Sequence, residues 1–293
     1  VGNLACQRDS HLYTLDTQVI LCEPLGSESN LWRVELADTV LFPEGGGQPC
    51  DTGSIEGIPV VRVERQGNRC LHYCKGGPLV PEQQVRVQVD VPRRTDLMQQ
   101  HSAQHLLSAL LKKRCSLETT SWKLGEETSY IQLDGPLSPE QMRLVEEEAN
   151  SFILQDIQVT THSFHPEKDQ EAFEGIGRMN RPEDAQDQRV RVVEIHDLDR
   201  NPCCGTHVRR LGQLGSTSLL RTEPYRGGTC RVHFVAGTRV QHYLRTLEDR
   251  DQAITKALEV PGPDHLDRIT QLKAQTKEGR KSRKLALEEA ALV

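Results

Sequence analysis

Two short motifs about a hundred residues apart limit what this chain can fold into. His101-Ser-Ala-Gln-His105 places two imidazoles four residues apart, so that on a helix both lie on one face. Cys203-Cys-Gly-Thr-His207 offers a thiolate and an imidazole at the same spacing, around a turn that contains glycine. One cysteine and three histidines suit Zn²⁺. If one ion binds them all, the fold must bring the two segments together.

Each half of this set also has an ordinary structural interpretation. His101 and His105 could be half-buried helix histidines, and Cys203 could be a buried apolar thiol. The two halves together favour zinc, because a predicted strand at residues 190–195 could carry Cys203 toward the helix. Cys204 competes as a ligand. The residues alone leave open whether four of them bind, or three with one position left for water or substrate.

The first ninety residues have the pattern of a small β-barrel or sandwich. Segments rich in Val, Ile and Leu alternate with Gly and Pro clusters. The segments predicted as strands are 17–22, 31–36, 60–64, 70–74 and 85–91. Between them, residues 42–53 contain three consecutive glycines, which allow positive φ or a close approach of the backbone. This loop lacks the Lys-Ser/Thr of a Walker loop and the spacing of a dinucleotide-binding loop.

The rest of the chain mixes helices and strands. Helices are predicted over 95–114 and over 138–154, where Ser138 is the N-cap. Further strands are predicted over 190–195, 213–220 and 229–235. From residue 240, Pro261-Gly-Pro263 separates two amphipathic helices that could mediate self-association.

These patterns predict an α+β protein in three parts. Residues 1–94 form a barrel-like domain with the Gly-rich loop, and residues 95–239 form a zinc-containing α+β domain. Residues 240–293 form a helical extension, with no stop signal at its end.

Composition narrows the class of function. Lys and Arg number 36 against 42 Asp and Glu, and the net charge of −6 excludes a globally basic nucleic-acid binder. Residues 200–240 nevertheless contain seven Arg, no Lys and one acid. Guanidinium groups favour bidentate contacts with phosphate or carboxylate, although a solvated face with scattered ion pairs is the ordinary alternative.

Cysteine usage and hydropathy predict a cytoplasmic protein. Nine cysteines in dissimilar contexts argue against a disulfide framework. The start of the chain lacks a basic region followed by an apolar core, and no stretch approaches 18 apolar residues. We therefore expect neither a secretory signal nor a membrane-spanning helix.

The order of the motifs resembles a known family. A Gly-Gly-Gly-Gln-Pro-x-Asp-x-Gly loop, then His-x3-His, then Cys-x-Gly-Thr-His-Val is similar to the editing region of alanyl-tRNA synthetase. It is most similar to the freestanding AlaX proteins of the longer type, which retain the Gly-rich N-terminal domain. The resemblance covers roughly residues 31–237.

The resemblance implies a set of site residues. The family's zinc ligands, for one Zn²⁺ per chain, match His101, His105, Cys203 and His207. Cys203 is preferred over Cys204 because the family spacing is Cys-x3-His. Thr39 lies where related proteins have a threonine that helps recognise the misloaded amino acid, and Gln48 ends the glycine run, so both are expected in the catalytic set. Ser102 and Thr206 fit ordinary helix and turn capping better than catalysis.

The implied activity is that of an aminoacyl-tRNA deacylase. It hydrolyses the ester that joins serine, with glycine as a further candidate, to alanine-accepting tRNA. We find no class II synthetase core, so the chain is expected to act in trans. The expected RNA contacts are Arg209, Arg210 and Arg231, with Arg221, Arg226, Arg93 and Arg94 as further candidates.

Two other functions stay open at this point. The chain could be a non-catalytic, zinc-stabilised module that binds RNA or a protein through its helical arm. It could also be an excised piece of a complete synthetase. Turnover of Ser-tRNA distinguishes an enzyme from a binding module.

Overall fold

The structure is a computed structural model that describes residues 4–26, 30–67, 69–165, 168–169 and 189–291. All elements given below refer to these residues. The chain divides into two compact units, Val1–Val240 and Gln241–Val293. The predicted α+β class is confirmed, since the first unit combines a closed barrel with two helices packed on a sheet.

Strands of the N-terminal part close into a barrel, as predicted. After a short helix, α1 (Ala5–Arg8), the barrel strands are β1 (Thr14–Pro24), β2 (Leu31–Leu36), β3 (Gly53–Ile55), β4 (Ile58–Gln66), β5 (Arg69–Lys75) and β6 (Gln84–Val89). Their order around the barrel is β1-β2-β5-β4-β3-β6, with antiparallel neighbours. Alternate residues point inward, as Val85, Val87 and Val89 do in β6.

The long helix α2 (Val91–Cys115) starts directly after the barrel. The Asp90 carboxylate accepts the backbone N–H of Arg93, and Pro92 occupies the first turn. The predicted strand over 85–91 is therefore wrong at its end, because Asp90 and Pro92 favour a helix start. The helix ends at Ser116, which adopts a left-handed conformation.

The remaining strands of the first unit form two antiparallel sheets. One sheet contains β7 (Thr119–Lys123), β8 (Ser129–Leu133), β12 (Thr217–Pro224) and β13 (Cys230–Ala236), in the order β12-β13-β8-β7. The other contains β9 (Val159–Phe164), β10 (Val190–Ile195) and β11 (Asp199–Pro202), in the order β11-β10-β9. The predicted strand over 213–220 starts later, since Leu211–Leu214 form a 3-10 turn.

Two helices cover one face of the four-stranded sheet. Helix α3 (Pro139–Leu154) has the predicted capping box, in which Ser138 and Gln141 bond each other's backbone N–H groups. Together α2 and α3 bury the apolar face of the sheet, including Ile131, Val232 and Phe234. The opposite face of the sheet remains open to solvent over much of its area.

The second unit consists mainly of two helices. Helix α4 (Thr238–Leu258) and helix α5 (His265–Ala290) are joined by a 3-10 turn at Gly262–Asp264. This agrees with the break predicted at Pro261. Self-association through these helices stays a prediction. Within the described ranges, no helix combines the length and hydropathy needed to cross a membrane.

Candidate metal centre

The four predicted zinc ligands lie together. His101 and His105 occupy consecutive turns of α2, and Cys203 and His207 follow β11. Their ligand atoms all lie within 4.8 Å of one another. Sγ of Cys203 is 3.4 Å from Nε2 of His101 and 3.2 Å from Nε2 of His207. The antiparallel turn from β10 into β11, which contacts α2, brings Cys203 to the helix.

The electrostatics of the cluster favour a thiolate. Burial raises the pKa of Cys203, but the neighbouring His101 and His207 outweigh it and hold this pKa well below its usual value. Burial lowers the pKa values of His101 and His207. A thiolate and neutral imidazoles are the forms that bind metal ions.

His105 differs from the other two histidines. Burial lowers its pKa, but the nearby Asp199 carboxylate and the Cys203 sulfur more than offset this and raise the pKa to about 9. The Asp199 carboxylate and the Cys203 thiolate therefore make the surroundings of His105 more negative than those of His101 and His207.

An oxygen atom faces the outer ring nitrogen of each histidine. Nδ1 of His101 is 2.7 Å from Oε1 of Gln48, and Nδ1 of His207 is 3.1 Å from Oγ of Ser102. Nδ1 of His105 is 3.5 Å from a carboxylate oxygen of Asp199, which is longer than an ordinary hydrogen bond. Such outer partners fix the orientation of metal-binding imidazoles.

The contacts of Gln48 define its orientation. Its Oε1 accepts the backbone N–H of Thr206 at 3.0 Å, and its Nε2 donates to Oγ1 of Thr206 at 2.9 Å. Because the amide oxygen only accepts, Nδ1 of His101 donates to it. Nε2 of His101 is therefore left with a lone pair that faces the cluster. Thr206 serves to orient Gln48, so its predicted role as a simple turn cap is wrong.

Ser102 also acts on a ligand. Its Oγ accepts the backbone N–H of Val208 at 3.1 Å and contacts His207. Ser102 therefore accepts a backbone N–H, as capping predicts, but this N–H belongs to the ligand turn and not to its own helix.

The turn that carries Cys203 has no room for a side chain at Gly205. A Cβ there would lie 2.2 Å from Cε1 of His101 and 2.6 Å from Oε1 of Gln48. The buried Arg191 holds the same turn, donating from Nη1 to the carbonyl oxygens of Cys203 at 2.8 Å and Gly205 at 2.7 Å. Backbone and side-chain contacts together therefore fix the position of Cys203.

The glycine run forms a tight turn beside the cluster. Gly46 and Gly47 have φ values of +56° and +80°, and Gly45 and Gln48 exchange backbone hydrogen bonds of 3.1 Å. A Cβ at Gly47 would lie 2.8 Å from the ring of Trp122. Both predicted uses of the glycines, positive φ and close approach, are confirmed. The Trp122 ring in turn lies 4.7 Å from that of His101, between ring centres, and forms one wall of the site.

Only one of the two adjacent cysteines joins the cluster. Sγ of Cys204 lies by the glycine turn, 3.2 Å from where a Cβ of Gly46 would be. Burial raises the pKa of Cys204, in contrast to Cys203. The geometry therefore favours Cys203 as the ligand.

Thr39 lies in the barrel part of the fold. It is buried; its Oγ1 accepts the backbone N–H of Leu41 at 3.1 Å and lies 2.9 Å from Nε2 of His72. Its role in recognising the amino acid stays a prediction.

The candidate arginines have very different surroundings. Arg209 forms an ion pair with Asp9 at 3.0 Å, and Arg210 pairs with Asp156 at 2.5 Å. Arg231 instead stacks on tyrosine rings. Arg94 is fully buried against Asp51, so the suggestion that it reaches RNA is wrong.

Sequence reasoning missed three residues of the site. Asp199, Trp122 and Arg191 lie in segments without a recognisable motif. Asp199 belongs to a short polar strand, and Trp122 reaches His101 only because β7 packs against the helix. Arg191 lies in β10, whose mostly apolar pattern did predict a strand. That pattern gave no indication of the contacts that the Arg191 side chain makes.

Part of this site lies in a segment that matches a known family. Residues 190–233, which include Cys203 and His207, match the family model described as "Threonyl and Alanyl tRNA synthetase second additional domain". The chain is 36% identical to "Alanyl-tRNA editing protein Aarsd1" of Danio rerio, over 98% of this chain and 71% of that protein. It is 37% identical to the Mus musculus protein of the same name, over 93% of this chain and 68% of that protein.

An archaeal relative is more distant. "Alanyl-tRNA editing protein AlaX-L" of Pyrococcus horikoshii is 28% identical, over 79% of this chain and 57% of that protein. On these similarities, the chain belongs to the AlaX-type family of alanyl-tRNA editing proteins.

Proposed function

We propose that this protein is a zinc-dependent hydrolase that removes serine from alanine-accepting tRNA in trans. Glycine on the same tRNA is a second substrate in this proposal. The buried cluster of one thiolate and three oriented imidazoles is the observation that carries the proposal. The names of the relatives support an editing activity.

The residues present fit a zinc ion. The donor set contains three imidazole nitrogens and one thiolate, which suits this borderline metal. His101, His105, Cys203 and His207 would hold it, and the bound ion would supply a fixed positive charge for Lewis-acid chemistry at the ester.

The protein itself orients the ligand side chains and encloses the site. Gln48 and Ser102 hold the rings of His101 and His207 through their Nδ1 atoms. Trp122 packs on the His101 ring and on the glycine turn, so it forms the wall of the site on that side. These are positioning roles, and they keep the cluster rigid while an ester is bound.

Discrimination against alanine needs a partner for one hydroxyl group. A buried site that hydrogen-bonds the serine hydroxyl leaves its polar partners unpaired when alanine enters. Thr39 is our candidate for this partner. Its hydroxyl is held by Leu41 and His72, so its direction is fixed before a substrate arrives.

The test measures deacylation of Ser-tRNA and Ala-tRNA made on the same alanine-accepting tRNA, with bound zinc quantified. We expect the intact chain to release serine and spare alanine. Cys203→Ala should lose zinc and activity together, whereas Cys204→Ala, the neighbour outside the cluster, should keep both.

The opposite outcome is equally clear. A folded, zinc-loaded protein that leaves Ser-tRNA intact would overturn the enzyme proposal. The chain would then be a zinc-stabilised binding module.

A further inference from the structure

We propose that the solvent face of the four-stranded sheet binds the single-stranded 3′ end of the RNA substrate by base stacking. This inference rests on the proposed function, because it assigns the surface on which the acceptor end lies. We call this face the outer sheet face. It is defined by Arg221, Glu223, Arg231, His233, Tyr130, Gln132, Ser121 and Lys123.

Strand register places these side chains together. Arg231 is opposite Gln132 and Glu223, and His233 is opposite Tyr130 and Arg221. Directly opposed residues of antiparallel strands share a face. The intervening residues, including Ile131, Val232 and Phe234, are buried under the helices. The outer sheet face is therefore polar and aromatic, whereas the inner face is apolar.

A preformed stack lies at the centre of this face. The guanidinium carbon of Arg231 is 3.7 Å from the ring centre of Tyr225 and 4.5 Å from that of Tyr130. Nε of Arg231 also donates to Oε1 of Gln132 at 3.3 Å. Tyr225 lies at the turn between β12 and β13 and is 37% exposed. Planar groups held in this way offer a rigid platform for further planar groups.

In the part of the chain that the structure describes, the basic side chains around the stack lack a carboxylate at ion-pair distance. Among the described residues, no carboxylate forms an ion pair with Arg221, Arg226, Arg231 or Lys123. Arg209 and Arg210 differ in this respect, because Asp9 and Asp156 neutralise them. Glu223, the acidic group on the face, lies 3.2 Å from His233. Free cations next to aromatic rings suit a polyanion with exposed bases.

The position of the face also suits a substrate end. Strand β7 forms the edge of the sheet nearest the cluster, where Trp122 points inward to His101 and its neighbour Lys123 is exposed. Strand β13 lies two strands away from β7, a distance of about 10 Å. An RNA 3′ end that stacks on Arg231 therefore has a short path around the edge of the sheet to the metal centre.

Stacking favours a single strand over a duplex. Bases in a helix already stack on one another, whereas an unpaired 3′ end leaves its bases free for tyrosine and arginine planes. The outer sheet face therefore predicts recognition of the unpaired end, with little dependence on base identity.

Fluorescence anisotropy with two RNA hairpins tests this surface. One hairpin carries a four-nucleotide 3′ overhang, and the other has the same stem with a blunt end. We expect the overhang to improve binding, and Tyr225→Ala to weaken binding of the overhang hairpin about tenfold with little effect on the blunt one. Arg231→Gln should do the same and also reduce the salt dependence, whereas Arg231→Lys should restore the salt dependence alone.

A matched control exists in the barrel. Arg62 lies 5.7 Å from the ring centre of Tyr73, but Glu64 neutralises it. Arg62→Gln should leave RNA binding unchanged. Tyr225 is exposed at a turn, so Tyr225→Ala keeps the test valid even if Arg231→Gln fails to fold.

The outcomes separate this proposal from the proposed function. Equal affinity of the wild-type chain for both hairpins, or unchanged binding in Tyr225→Ala, would overturn the proposal that the outer sheet face binds RNA, even if Ser-tRNA is hydrolysed. Preferential binding of the overhang that depends on Tyr225 and Arg231 would support RNA binding by the outer sheet face, even if no ester is hydrolysed.

Discussion

Oε1 of Gln48 lies 2.7 Å from Nδ1 of His101, and this contact joins the glycine turn beside the barrel to the helix that carries two ligands. Gln48 is buried and also binds Thr206 through both ends of its amide. One side chain thus connects the glycine turn, the ligand helix and the ligand turn. It explains physically why a glycine-rich loop accompanies the metal motifs in this sequence.

Removing this amide should weaken the metal centre. In Gln48→Ala, Nδ1 of His101 loses its acceptor, so we expect zinc affinity to fall about 10- to 100-fold. Competition with a chromophoric chelator measures this affinity. Gln18→Ala serves as a control, because Gln18 bonds the backbone of Glu82 on the surface. Unchanged zinc affinity in Gln48→Ala would refute the positioning role.

A methyl group at Gly205 should disrupt the site more severely. Its Cβ would lie 2.2 Å from Cε1 of His101, so the ring or the turn must move. We expect Gly205→Ala to bind substoichiometric zinc, as measured by elemental analysis of the purified protein. Gly45→Ala, in the glycine turn, meets only the carbonyl of Pro43 at 4.0 Å and should bind zinc normally. Full zinc occupancy in Gly205→Ala would contradict this geometry.

The ligands were predictable from sequence because their spacing reflects local geometry. A helix places His101 and His105 on one face whatever surrounds it. Asp199 and Trp122 were not predictable, because their contacts with the histidines depend on how strands β11 and β7 pack against α2. No periodic pattern records such a contact.

Some strands were likewise predictable from the sequence, and others were not. Four of the six residues of strand β10 are β-branched, and the strand was predicted with the bounds observed. Strand β11 reads Asp-Arg-Asn-Pro and has no apolar alternation, so only its pairing with β10 makes it a strand. Strand β3 is three residues long, too short for a pattern, and forms because its neighbours β4 and β6 complete the barrel.

The buried ion pair between Arg94 and Asp51 should matter for stability. Nε of Arg94 donates to both carboxylate oxygens of Asp51, at 3.2 Å and 3.0 Å. Asp51→Asn leaves a buried guanidinium without its counter-charge, and we expect a loss of about 3–5 kcal/mol in the free energy of unfolding. Urea denaturation measures it. Glu23→Gln, which breaks the more exposed pair with Arg33, should cost much less. Equal losses would contradict the prediction.

Burial of His72 should make stability depend on pH. Burial lowers the pKa of His72 to about 4, from an ordinary value near 6.5. The unfolded chain therefore binds more protons between these values, and the free energy of unfolding falls as the pH drops through this window. His72 costs no stability well above pH 6.5, and the loss that it causes reaches about 3 kcal/mol by pH 4.

Replacement of His72 should reduce this dependence. Urea denaturation of the zinc-loaded protein at pH 7 and pH 4.5 should show a smaller difference for His72→Gln than for the wild-type chain. His196→Gln, which alters an exposed histidine, should retain the wild-type difference. An unchanged pH dependence in His72→Gln would assign the acid sensitivity to other groups.

Thr39→Val separates recognition of serine from a structural role. Valine keeps the shape of Thr39 but removes the hydroxyl that lies 2.9 Å from Nε2 of His72. If this hydroxyl meets the serine side chain, kcat/KM should fall about tenfold or more for Ser-tRNA and change little for Gly-tRNA, because glycine has no hydroxyl. Thr17→Val is the control. Oγ1 of Thr17 accepts the backbone N–H of Asp38 at 3.2 Å, and we expect its loss to affect both substrates equally little. An equal fall for both substrates would show that Thr39 supports the barrel through His72 and does not recognise the amino acid.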